Sequence, residues 1–177
     1  MIAPGPASPA AAPHVPLVAG SAPLLCGHGR LAPRFTLGGW VRRPQALDAT
    51  ALEALGARAL AGFMVRCTVD GSHGAERPLR AVALRALIAQ AEPAFDERTD
   101  FKRTAIVATG TDGYRALFSW GEVFHTVVGE GVHVAFDCAQ APLDAHTGPF
   151  ALVSLHDEFT GPRFVRQLAS VELHRLW

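Results

Sequence analysis

Residues 104–124 read Thr-Ala-Ile-Val-Ala-Thr-Gly-Thr-Asp-Gly-Tyr-Arg-Ala-Leu-Phe-Ser-Trp-Gly-Glu-Val-Phe, and this stretch constrains the fold more tightly than any other. A β-branched, apolar run at 104–109 meets Gly110-Thr-Asp-Gly113, residues that tolerate positive φ, and the strand pattern resumes at 114–118. A β-hairpin is the expected result. Ser119 follows as a helix cap, with Glu122 at capping-box spacing, so that each side chain can bond the other's backbone N–H. A chain with such an element needs a sheet for the hairpin and a helix beside it. No nucleophile stands out in the stretch, which specifies shape rather than chemistry.

Composition narrows the class. The 177 residues are 49% hydrophobic and 18% charged, enough apolar material for one substantial core. Sixteen basic residues balance sixteen acidic ones, which removes the electrostatic footprint of a nucleic-acid binder. Three cysteines, Cys26, Cys67 and Cys138, are too few and too widely spaced for a disulfide framework. No apolar run approaches the roughly 18 residues that span a bilayer. The first thirty residues are rich in Pro and Ala and hold no Lys or Arg before Arg30, unlike a secretory signal. The expectation is a cytoplasmic protein with a flexible arm over residues 1–31 and a single domain over 32–177.

Within that domain, 35–41 reads as a strand that stops at Pro44. A short helix follows, capped by Asp48 or Thr50 and ended at Gly56. Residues 61–69 alternate, with Phe63, Val65, Cys67 and Val69 on one face. The expectation for 70–74 is a loop carrying His73, and for 83–91 a helix with Leu84, Leu87, Ile88 and Ala91 on its buried stripe. Residues 94–102 form an expected charged, exposed loop. Strands are expected at 132–136 and 150–155, separated by a long connection over 137–148, while 165–173 fits helix and strand alike. The Cys26-Gly-His-Gly29 pattern lacks a second ligand pair and reads as a loop. Ser119 and Ser154 lie in no nucleophile-elbow sequence, and no zinc-ligand spacing is present.

Four segments, in order, resemble the molybdopterin-binding domain of sulfite oxidase-type oxidoreductases, in particular small bacterial members. They are Phe35-Thr-Leu-Gly-Gly-Trp-Val with Arg43-Pro44 and the capped helix; the Cys67 strand followed by Leu79-Arg-Ala-Val-Ala-Leu-Arg-Ala-Leu-Ile; the Thr111-Asp-Gly-Tyr114 hairpin with Ser-x-x-Glu; and Ala141-Pro-Leu143, His146, Gly148-Pro149 with Gly161-Pro-Arg-Phe-Val165. The resemblance runs from about Phe35 to the C-terminus. It implies an α+β fold of mixed β-sheets and short helices, a molybdenum-molybdopterin cofactor, and oxygen-atom transfer on a small-molecule substrate. It further implies Cys67 as the metal-ligating, catalytic thiolate and His146, Arg163 and Arg166 as contacts to the pterin phosphate. Soft thiolate ligation suits such a metal, and Arg forks suit a phosphate.

The sequence departs from the family pattern in places. Ala151 stands where an Arg is expected, His156-Asp157 where a Pro-Gly is expected, and Ala81 where the helix motif has Gly. No haem domain accompanies the segments, so electrons would pass to a separate partner. The alternative reading is a fold relative without cofactor, serving as a binding or accessory module. Read without the resemblance, Cys67 is a small buried hydrophobe on an apolar strand face.

Overall fold

The computed structural model describes residues 25–26, 29–30, 34–67, 71–138, 141–143 and 146–177. Residues 1–24, the His28 of the Cys-Gly-His-Gly pattern and Val69 lie outside the described residues, as do the side chains of Cys26, His73 and Cys138. By contacts the chain divides into Met1–Leu31 and Ala32–Trp177. In the first unit β1 (Leu25–Cys26) pairs antiparallel with β2 (Gly29–Arg30).

The second unit is α+β, as the sequence indicates, and is built on two five-stranded sheets. The first contains β3 (Phe35–Gly39), β4 (Gln45–Leu47), β7 (Thr104–Gly110), β8 (Arg115–Ser119) and β12 (Leu168–Arg175) in the order β4-β3-β12-β7-β8. Its β3–β12 pair is parallel and the rest antiparallel, so the sheet is mixed. The second contains β5 (Arg58–Cys67), β6 (Gly71–Ala83), β9 (Val132–Cys138) and β10 (Ala141–Pro142) in the order β10-β9-β6-β5, with β11 (Ala151–Ser154) also on β9. All its pairs are antiparallel.

Alternation explains how the sheets face each other. On β9, Val132, Val134 and Phe136 point to the main core, where they meet Phe35 and Leu37 of β3, Ile106 and Ala108 of β7, Phe118 of β8 and Val171 and Leu173 of β12. Two helices close this core. The helix α2 (Leu84–Gln90) contributes Leu84, Leu87 and Ile88, and α3 (Trp120–His125) contributes Trp120 and Val123. The opposite face of the second sheet carries a smaller cluster of Phe63, Leu79, Ala81, Ala135 and Val153, with Phe164 packed against it.

Local chemistry sets the element ends. The short helix α1 (Ala49–Ala54) is capped by Asp48, whose carboxylate accepts from Ala51 N at 2.9 Å. At the start of α3, Ser119 and Glu122 form the reciprocal capping box read from their spacing. A four-residue helix, α4 (Val127–Glu130), follows it. Gly39 ends β3 at φ +78°, and a Cβ there would overlap the Leu173 carbonyl and stand 2.8 Å from the Leu173 nitrogen.

Two expectations change. Residues 71–74 belong to β6 rather than to a loop, and β6 runs on through Pro78 to Ala83, so Ala83 ends a strand where the sequence pattern starts a helix. Antiparallel pairing with β5, where Gly71, Ser72 and His73 face Cys67, Arg66 and Val65, overrides the weak propensity of Gly71-Ser-His-Gly74. The charged loop at 94–102 holds a fully buried side chain, Asp100, at the start of a 3₁₀ turn (Asp100–Arg103). Its carboxylate accepts from Asp96 N at 2.8 Å, Glu97 N at 2.9 Å and Arg103 Nε at 2.9 Å, which is why burial is tolerated. The undecided segment at 165–173 resolves mainly as the strand β12.

Candidate functional site

Cys67 is the last residue of β5, half-buried, and its register partner across the hairpin is Gly71. The strand shifts register between Leu60 and Phe63 and again between Phe63 and Val65, so it approaches Cys67 through two irregularities. Beyond its β6 side, the strand has an outer edge. There the Thr160 hydroxyl accepts from Arg66 N and donates to Met64 O, each at 2.9 Å.

Thr160 leads into a 3₁₀ turn (Gly161–Arg163) with Pro162 in its first positions. A Cβ on Gly161 would stand 3.0 Å from the Arg66 carbonyl oxygen and 3.6 Å from the Cys67 Cα. The turn therefore lies directly against the cysteine backbone. Its other side is held by Tyr114 of the β7–β8 hairpin, whose hydroxyl donates to Pro162 O at 2.6 Å.

Arg163 closes the turn. Its Nε donates to Asp157 Oδ2 at 2.7 Å, its Nη2 to Asp157 Oδ1, and its Nη1 to Glu122 Oε1 at 3.0 Å. The guanidinium also lies 4.7 Å from the centre of the Phe118 ring. The bonds to Asp157, and then its charge, raise the Arg163 pKa further. Burial pushes the Glu122 carboxyl up, but bonds from Ser119 and Arg163 outweigh it and the net shift is downward.

His146 and Arg166 form a second group. Both are exposed, and the Arg166 guanidinium meets His146 Nε2. Arginine has only donors, so Nε2 accepts. Beside them Gln167, at φ +45°, donates its backbone N–H to Thr147 O at 2.8 Å, and its carbonyl accepts from Thr111 N at 3.0 Å. The hairpin turn is thus pinned to the segment that carries Arg166.

The chain shares its fold with the sulfane dehydrogenase SoxCD from Paracoccus pantotrophus. That crystal structure matches with a TM-score of 0.62 at 16% identity, over 80% of this chain and 38% of that one. The likeness is one of fold, and the chain spans well under half the length of the SoxCD chain. No protein-family model matches, and no curated protein matches.

The structure thus brings Cys67 and Arg163 to one turn and joins His146 to Arg166 in a separate contact. Among the described residues no group of three or more His, Cys, Asp or Glu side chains is arranged to hold a metal ion. No described helix is long and apolar enough to cross a membrane. The sequence pattern missed Thr160 and Asp157. Pro162 signals the turn, but Thr160 meets β5 across 94 positions of sequence, and no local motif announces such a partner.

Proposed function

We propose that the chain is a molybdopterin-dependent oxidoreductase domain of the sulfite oxidase type, with residues 32–177 holding the cofactor. The supporting observation is the likeness of fold to the SoxCD sulfane dehydrogenase. In this reading Cys67 gives its thiolate to molybdenum, and the bound cofactor supplies oxygen-atom transfer on a small-molecule substrate.

The donor chemistry fits at two places. Cys67 offers one soft sulfur, half-buried at a strand end, which would suit a soft metal that the pterin also holds. His146 and Arg166 offer ring and guanidinium nitrogens at the surface, a suitable pair for a phosphate dianion. Arg163 contributes differently. Its nitrogens already serve Asp157 and Glu122, so a phosphate reaching it must displace one carboxylate. Its role in the proposal is to fix the turn beside Cys67. The protein works in the cytoplasm, and a separate electron-transfer partner accepts or supplies the electrons.

The test is elemental analysis of protein purified from a host that makes the molybdenum cofactor. Near-stoichiometric molybdenum, lost in Cys67→Ser, is the expected result. Folded, metal-free protein from that host would overturn the reading and favour a cofactor-less accessory module, an outcome that the engaged Arg163 fork makes concrete.

A further inference from the structure

We propose that Thr160 is the positioning residue for Cys67, an inference that rests on reading Cys67 as the metal-binding thiolate. β5 is the last strand of its sheet, and its outward Met64 C=O and Arg66 N–H lie on one side because residues two apart repeat along a strand. A neighbouring strand would satisfy that pair with one acceptor and one donor. The Thr160 hydroxyl supplies both from a single atom, at 2.9 Å to each.

The hydroxyl belongs to a buried side chain. Thr160 is 4% exposed, and Gly161 lies against the Arg66 carbonyl and the Cys67 Cα. The turn behind it does not yield freely, because Tyr114 holds Pro162 and two carboxylates hold Arg163. Cys67 is therefore referenced, through Thr160 and the turn, to the β7–β8 hairpin of the other sheet. Removing the hydroxyl takes the protein partner from one part-buried donor and one part-buried acceptor on the strand edge just before the cysteine.

The experiment uses the full chain, metal-free, with Cys26→Ser and Cys138→Ser so that alkylation reports Cys67 alone. Thr160→Val keeps the shape and deletes both bonds, Thr160→Ser keeps them, and the readouts are Arg66 amide exchange and the iodoacetamide rate at fixed pH. Expected is a rise of tenfold or more in Arg66 exchange and a severalfold change in alkylation for the valine variant, with the serine variant within twofold of the parent. A folded valine variant with both readouts unchanged overturns the proposal, as does serine failing to rescue. If the valine variant does not fold, Tyr114→Phe decides. It deletes the bond that holds Pro162 and leaves β5 untouched, so faster Arg66 exchange with a changed alkylation rate supports the proposal and both unchanged overturn it. Molybdenum content of the parent is measured separately, so a metal-free parent with altered Thr160→Val readouts sinks the ligand reading and leaves the positioning role standing.

Discussion

Arg163 and Glu122 meet across 41 positions of sequence, Nη1 donating to Oε1 at 3.0 Å, while the other Glu122 oxygen accepts from Ser119 N at 2.7 Å. One carboxylate thus caps α3 and anchors the turn beside Cys67. Arg163→Ala strands Asp157, whose side chain is only 9% exposed, and costs about 3 kcal/mol. Thermal unfolding should show a midpoint lower by roughly 6–12 °C. Glu122→Gln, which keeps an acceptor for the cap, should lose much less.

Asp100 sets an acid limit. Hydrogen bonds from the Glu97 and Asp96 amides and from Arg103 outweigh burial and hold its pKa at about 2, below the ordinary value near 4. A depressed carboxylate stabilises the fold above its unfolded pKa, and that stabilisation disappears as pH falls through the folded value. Urea midpoints measured from pH 5 to pH 2 should therefore decline, and Asp100→Asn should flatten the decline while lowering the midpoint at neutral pH.

Arg166→Ala and His146→Ala separate binding from stability. Both side chains are exposed, so melting temperatures should stay within the small range of surface substitutions. If the pair holds the pterin phosphate, each change should weaken cofactor retention about tenfold, the equivalent of one charge-assisted hydrogen bond. Equilibrium dialysis of the loaded protein reads this directly, and full retention in both variants would remove the pair from the site.

Gly39→Ala tests the junction of the first sheet. Positive φ with a side chain costs about 1–2 kcal/mol, and the overlap with Leu173 adds to it. Chemical denaturation should show a loss of at least about 2 kcal/mol, whereas Gly56→Ala, also at positive φ but with nothing within 4 Å, should lose only the backbone part.

The readable parts of the sequence are those whose cause is local. The hairpin turn, the Ser119–Glu122 box and the Leu84, Leu87 and Ile88 stripe each follow from residues within one or two turns of each other, and each appears in the structure. β6 escaped because its strand character at Gly71-Ser-His-Gly74 comes from pairing with β5 and not from its own side chains. Asp100 looked like one more surface charge in a charged loop, since its burial depends on amides that fold over it. The site divides in the same way. Cys67 was visible as a residue of a strand, but Thr160, Asp157 and the engagement of Arg163 are long-range or loop contacts without a periodic signature.

The parallel β3–β12 pair places the latest strand in the sequence at the centre of its sheet, between β3 and β7. During synthesis the β3–β4 and β7–β8 hairpins leave the ribosome well before the strand that joins them, each with one edge waiting for it. The first sheet can close only when residues 168–175 have emerged, so the main core is completed late in synthesis.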